Sequence, residues 1–571
     1  MLFVNLCSVA AAVRPARLRA LKWVVSAFFI GALIVAGATT TQARAIPIVG
    51  MNLAGADSPL RSSWDFADLM KTSNNWNTGD LANTTFDAND WPTFIRPGQS
   101  IGTNVRLPVG NRAPHYPLGQ YTMTWEGLGT FNLSGAGDNQ FVSATNPAGG
   151  TRAYNATTQG QQIFLRINTV DTTNPLRNIR ILMPGYAPGQ ALSGQTFNTT
   201  FAQTIRPFST LRFMDWGSTN VNTNETWSQR QQVSARTYGG NSNKGVPIEH
   251  KIALANQQDA DPWFNMPVRA NDDYVRKQAL LARDTLEPGR KVYVEYGNEV
   301  WNAQFTVERG YVEQLAQQRY GDKNLWYRTW AEEARRDFAI WKEVFNETGQ
   351  ADRVVRVAAA QATNRFHTPR FLNNLYENPS DTNPTGARLF DIVSMGAYVG
   401  ANTAAYNAST TKDKILDDLF STLAFHMNPT IGTDGRPVGD FRWQKSLADS
   451  YGVPLIAYEG GQSIVPGSAT SPWYNAYVQA QRDPRMYGLY RALLRQYLDV
   501  NGAAGFINFS SVASIGESGA WGALEFADQS IAEAHKYRAL IDYVASIPEP
   551  AALSLLALAI VPLQRRRKSF R

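Results

Sequence analysis

Cysteine is almost missing from this chain. The one present, Cys7, lies within the first apolar end, so a chain processed after Ala45 has no disulfide, no thiolate nucleophile and no cysteine metal site. Histidine is scarce too: His115, His250, His367, His426 and His535 are scattered without ligand spacing, which argues against a zinc site, and no metal is expected. No Gly-x-Ser-x-Gly elbow occurs, against a serine esterase, and no glycine-rich phosphate loop follows a strand, against a nucleotide-binding sheet. No internal repeat is visible, and nothing calls for a cofactor.

Charge misleads at first sight. The formal net charge is +7, but Arg14, Arg17, Arg19, Lys22 and Arg44 crowd one end, and Arg565, Arg566, Arg567, Lys568 and Arg571 the other. Without those ends the body is slightly acidic, so its charge gives no support for nucleic-acid binding. With 43% hydrophobic, 18% charged and 11% aromatic residues over 571 positions, the composition is globular and long enough for two domains.

The two ends read as addresses. Residues 1–45 combine a basic start, the apolar run Trp23–Gly37 and the small-x-small site Ala43-Arg44-Ala45, the plan of a secretory signal peptide. An uncleaved membrane anchor is the alternative, although the run is shorter than the ~20 residues a span needs. At the other end, within 546–571, Pro548-Glu549-Pro550 precedes the apolar Ala551–Leu563 and a basic cluster. That order resembles a PEP-CTERM sorting tail, which implies processing by exosortase-type machinery in a Gram-negative-type bacterium. It further implies export to the cell surface or extracellular matrix, with transient membrane anchoring through the tail. An ordinary C-terminal anchor helix gives nearly the same location.

Within the body, Ile46–Ala54 reads as a short buried strand and a possible first strand of a barrel, with 46–60 as its segment. From 61 to 194 the chain is rich in Gly, Asn, Thr and Pro. Tyr121, Met123 and Trp125 alternate with polar residues, as do Ile163, Leu165 and Ile167, and Ile179, Ile181 and Met183, which predicts half-buried strands of a jelly-roll-like β-sandwich. Carbohydrate binding and plain packing are both open for it.

After Thr210 the rhythm changes to strands alternating with helices. Strands are expected at Leu211–Trp216, Val246–Leu254, Trp263–Val268, Lys291–Tyr296, Arg353–Ala360, Phe390–Tyr398, Val453–Tyr458 and Gly505–Phe509. Helices are expected after the Asn271 cap to Leu286, at Trp326–Phe345, at Lys414–Phe425 and from Asp483-Pro484. This alternation over 195–545 predicts an α/β fold, a (β/α)8 TIM barrel with the β-sandwich as an additional domain near the N-terminus.

Two strands end alike. KVYVEYGNEVWN breaks at Gly297 and presents Asn298-Glu299, and VPLIAYEGGQ ends in Glu459 before two glycines. A pair of strand-end carboxyls is what acid/base work on a sugar bond requires. The pattern resembles the (β/α)8 glycoside hydrolases of clan A, and the likeness covers Thr210–Val544 and the possible first strand. It implies Glu299 as acid/base, Glu459 as nucleophile and Asn298 as a contact to the sugar hydroxyl beside the reacting carbon. It also implies Arg212 holding the nucleophile, Tyr398 as the aromatic that hydrogen-bonds it, and Trp521 as a sugar platform. The histidine such enzymes often carry after the third strand has no clear counterpart, and Asn265 is a candidate to replace it. Trp216, Trp263 and Trp301 fall near strand ends, where sugar stacking and core packing are both open. The implied activity is retaining hydrolysis of a polysaccharide; the alternative is a non-catalytic carbohydrate-binding or structural protein of the envelope or matrix.

Overall fold

The computed structural model describes residues 46–56, 62–107, 115–187, 196–240 and 243–547. The expected signal peptide and sorting tail lie outside the described residues. Among the described residues no helix is long and apolar enough to cross a membrane.

Eight parallel strands close into a barrel: β1 (Ile48–Asn52), β2 (Thr210–Arg212), β3 (Asp261–Met266), β4 (Val292–Tyr296), β5 (Val354–Ala360), β6 (Ile392–Met395), β7 (Leu455–Ala457) and β8 (Gly505–Asn508). β1 pairs with β2 on one side and β8 on the other, with Asn52 beside Arg212 and Gly50 beside Ile507, which closes the ring. A parallel barrel is covered on its outside by helices and filled on its inside, so a strand such as β4 is buried at all five positions.

The two faces of each strand serve different cores. Outward residues such as Val292, Val294 and Phe264 pack against helices in the main core, which includes Phe338 and Trp341 of the helix Trp326–Asn346. That helix is the amphipathic one its aromatic spacing predicted. Inward residues form a separate plug: Trp263, Tyr293, Val357, Ile392, Ile456 and Ile507, with Trp263 stacked on Tyr293 at 5.1 Å. Gly50 is required here, because a Cβ would sit 2.5 Å from Ile507 Cδ1 and 2.6 Å from the Thr210 carbonyl oxygen.

Between β1 and β2 the chain builds two larger antiparallel sheets, beside the small pair of Thr85–Phe86 with Pro92–Phe94. One orders Thr78–Gly79, Ile101–Arg106, Ile163–Val170, Gly129–Gly135 and Asp138–Ala144; the other orders Arg177–Leu182, Gly119–Glu126 and Gly150–Ala156. They share one core containing Tyr121, Met123, Phe131, Leu165 and Ile181, as period-two alternation predicts.

Three expectations need correction. Val246–Leu254 is not a strand: Ile248–Gln258 is a helix, with Ile248, Ile252 and Ala255 buried at helical spacing after Pro247. The strand at Leu211–Trp216 stops at Arg212, and Asp215–Gly217 is a single 3-10 turn. The strand expected at Trp263–Val268 runs instead from Asp261 to Met266. The helices Thr306–Tyr320, Asp440–Ser450 and His535–Ala545 also belong to the wrapping layer.

Candidate active site

Above the apolar plug, at the C-terminal ends of the strands, the barrel interior turns polar. Arg212 is its centre, fully buried. A guanidinium has five N–H donors, and here both ends and the bridge are engaged. Nε and Nη2 donate to the two oxygens of Glu295 at 3.0 and 2.9 Å, Nη2 also to Asn298 Oδ1 at 2.8 Å, and Nη1 to Asn52 Oδ1 at 3.0 Å and Glu459 Oε2 at 3.3 Å. Burial disfavours the Arg212 charge, but Glu295 and then Glu459 outweigh it and hold the group protonated.

Glu295 also accepts Trp263 Nε1 at 2.7 Å. Burial pushes its carboxyl upward while Arg212, Trp263 and Asn265 pull it back. Burial prevails and leaves the carboxyl above its ordinary value, although every hydrogen-bond partner of Glu295 is a donor to it. Asn52 ties four strands together. Besides accepting from Arg212 of β2, its Nδ2 donates to the Tyr458 carbonyl beyond β7 at 3.0 Å and the Asn508 carbonyl of β8 at 3.3 Å.

The chain leaves β4 through a strained turn. Gly297 sits at φ +64°, where a Cβ would meet Val300 Cγ2 at 2.7 Å and Val268 Cγ1 at 2.9 Å. Glu299 itself is left-handed at φ +45°, a conformation that L-residues adopt rarely and at a cost of about 1–3 kcal/mol. The turn is pinned from behind: the backbone N–H of Asn298 donates to Glu308 Oε1 at 2.9 Å, and its Nδ2 donates to Asn220 Oδ1 at 2.9 Å. Glu308 is completely buried, and burial pushes its carboxyl well above the usual range. The Glu299 carboxyl accepts from Tyr458 Oη at 2.9 Å and Asn302 Nδ2 at 3.0 Å.

Glu459 reaches the same place from β7. Its backbone is clamped where Ala397 N donates to its carbonyl at 2.8 Å, beside a short parallel pair of Ala397–Val399 with Gly460–Gln462 beyond the barrel rim. Its carboxyl is within hydrogen-bonding reach of Glu299. Burial first, then the charge of Glu299, push Glu459 well above the ordinary carboxyl range, and Arg212 opposes them. Two adjacent carboxyls beside one guanidinium hold a proton between them.

Of the residues singled out in the sequence, Arg212, Asn298, Glu299 and Glu459 therefore meet in one network. Tyr398 stands at its edge: burial, then the charges of Glu459 and Glu299, keep its phenol protonated, and its ring meets Trp521 edge-on at 5.8 Å. Trp521 lies in a long loop after β8, but Ser510 N donates to its carbonyl at 2.6 Å and brings it back to the strand end. Its indole N–H is held by the Ser518 carbonyl at 2.7 Å and the ring is half-buried. Trp301 packs against the main core. Trp216 and Trp263 are fully buried, Trp216 among Phe66, Phe201 and Phe213 and Trp263 in the plug, so neither offers a ring face for stacking. Asn265 closes onto the turn, donating to the Gly297 carbonyl at 2.8 Å.

Glu295, Asn52, Tyr458, Glu308 and Asn220 were not singled out. The signal for Glu295 was available: a charge inside a strand that is apolar on its other face, in a parallel barrel, has to point into the barrel and needs a partner there.

No protein-family model and no curated protein matches the chain. Among solved structures, a β-glucuronidase of Bacteroides uniformis is 10% identical with a TM-score of 0.28, over 74% of this chain and 44% of its own. The GH39 enzyme of Xanthomonas axonopodis pv. citri is 12% identical with a TM-score of 0.33, over 62% and 64%. The family 1 β-glucosidase of Thermotoga maritima is 12% identical with a TM-score of 0.32, over 60% and 85%. The chain thus spans less than half the length of the first of these. Likeness at this level assigns no activity, which has to be argued from the carboxyl network.

Proposed function

We propose that the chain is an exported, retaining glycoside hydrolase that cleaves a polysaccharide by double displacement, with Glu459 as nucleophile and Glu299 as acid/base. The observation that carries the reading is the contact of these two carboxyls at the barrel mouth, one of them on Arg212. Carboxyls close enough to share a proton lie nearer than the ~6.5–9.5 Å that an inverting enzyme keeps open for its water, which favours the retaining arrangement.

The roles follow from what each carboxyl touches. Only Glu459 contacts the guanidinium, so once a sugar parts the pair the negative charge belongs there and the proton on Glu299. Glu459 then attacks the anomeric carbon as Glu299 gives its proton to the departing oxygen. In the second half Glu299 takes a proton from water, whose oxygen displaces Glu459. Tyr458 orients Glu299, and the Tyr398–Trp521 wall lies where a sugar ring would rest. The signal-like start and the PEP-CTERM-like tail are the basis for proposing export to the surface or matrix, with exosortase-type processing.

The test is hydrolysis of a panel of β-linked polysaccharides, with the anomer of the product read by NMR. Glu299→Gln and Glu459→Gln should each cost several orders of magnitude, with the anomeric configuration retained in the parent. Equal glycan binding by all three proteins without cleavage would instead support the carbohydrate-binding alternative.

A further inference from the structure

The loop after β2 touches two places. At Asn220 it meets Asn298, and further on it reaches the antiparallel sheets. There Arg236 donates Nε and Nη2 to Asp90 at 2.9 and 2.7 Å, and Lys71 Nζ donates to the Val233 and Ala235 carbonyls at 3.2 and 2.6 Å. Beside these contacts a cleft of about 470 Å3 remains, walled by Asp68, Lys71, Asn178 and Arg180 from the sheet side and by Gln232 and Glu249 from the barrel side. That volume suits a small organic ligand and exceeds the needs of a lone ion.

The charges in the cleft do not balance. Asp68 Oδ1 is occupied by the backbone N–H groups of Met70 and Ile181, each at 3.0 Å, and Glu249 pairs through Oε1 with Arg230 at 2.8 Å, leaving its Oε2 without a hydrogen-bond partner among the described residues. The side chain of Arg180, half-buried, has no hydrogen bond or ion pair among the described residues. Its placement comes from a register slip between Arg177 and Arg180, where Asn178 is left-handed at φ +49°. Burial lowers the Lys71 ammonium to about 8; Asp68 resists, while Arg180 and Arg236 assist. An entering anion relieves that crowding of cations, and a guanidinium fork fits a carboxylate. The amides of Asn178 and Gln232 are groups that suit hydroxyls.

We propose that this cleft binds a uronic-acid-bearing stretch of polysaccharide, with Arg180 on the carboxylate and Asn178 and Gln232 on hydroxyls. The inference rests on the polysaccharide reading of the barrel. The loop after β2 contacts Lys71 at the cleft and, at Asn220, the turn that carries Glu299, and a polysaccharide held in the cleft would be long enough for another part of it to be cut.

Calorimetry on the full chain carrying Glu299→Gln, to stop turnover, tests it with tetragalacturonate, cellotetraose and inorganic phosphate. Tetragalacturonate should bind, more weakly as salt rises, and Arg180→Ala should weaken it at least tenfold. Asn178→Gly, which suits the left-handed backbone, should weaken it several-fold, and decides the matter should the arginine variant fail to fold. No binding of tetragalacturonate, unchanged binding in Arg180→Ala or Asn178→Gly, or equal binding of cellotetraose would overturn the proposal. Phosphate binding as tight as tetragalacturonate would leave a plain anion site and overturn it too. Binding is read without hydrolysis, so failure here leaves Glu299 and Glu459 untouched, and an inactive barrel leaves this result standing.

Discussion

The barrel interior has two storeys made from the same eight strands. In the lower, Trp263, Tyr293, Val357, Ile392, Ile456 and Ile507 fill the bore and need only shape. In the upper, Asn52, Arg212 and Glu295 each need a named partner, because an unpaired buried charge costs several kcal/mol. The lower storey tolerates approximate substitution; in the upper, removing Arg212 alone leaves buried charge unpaired. Function at the mouth is thus carried by the least forgiving part of the core.

The sharpest way to separate the storeys is by rate. Glu459→Gln should remove hydrolysis by several orders of magnitude while leaving the fold at least as stable, since it relieves the repulsion from Glu299. Ile507→Ala in the plug should do the reverse. It should lose about 2–5 kcal/mol in urea unfolding and leave the pH profile of any residual rate in place.

Next in size is Arg212→Met. Glu295 and Glu459 would lose the one cation that pairs with them among the described residues, at a cost of about 3–5 kcal/mol by urea unfolding. Adding Glu295→Gln should recover much of that loss without restoring activity. If Arg212→Met alone proved neutral, the upper storey would be packing, like the lower. Smaller again is Trp263→Phe, which spans both storeys. The plug keeps an aromatic ring, but Glu295 loses its 2.7 Å donor, for about 1–3 kcal/mol. The complementary change Tyr293→Phe should cost far less.

The contrast also explains what the sequence disclosed. The strands of β4 and β7 and the breaks after them were legible, because Gly297 and the pair Gly460-Gly461 interrupt apolar runs just where Glu299 and Glu459 stand. The β-rich segment was legible from the alternation at Tyr121, Ile163 and Ile179. Glu295 went unremarked although its place in a buried barrel strand marks it, because the strand-end pair Glu299 and Glu459 carried the pattern. Asn52 and Tyr458 bond to residues hundreds of positions away, so no local pattern marks them. The helix Ile248–Gln258 was less legible, because within Val246–Leu254 only Ile248 and Ile252 mark the helical spacing and Pro247 stands just before them.

The gentlest test is of pH. Burial and Glu299 raise Glu459 in the folded protein above its value in the unfolded chain, so the folded state holds more protons than the unfolded one. The associated stability is fully present below the unfolded value, about 4.3 for a glutamate, and is lost as pH rises through the folded value. Unfolding free energy should therefore fall with rising pH above that point, by up to about 1.4 kcal/mol per unit for this proton. Glu459→Gln should flatten the fall by that share, and Ile507→Ala should lower the whole curve without changing its slope. A slope unchanged in Glu459→Gln would mean that the proton is held elsewhere, with Glu308, also pushed up by burial, the next group to replace.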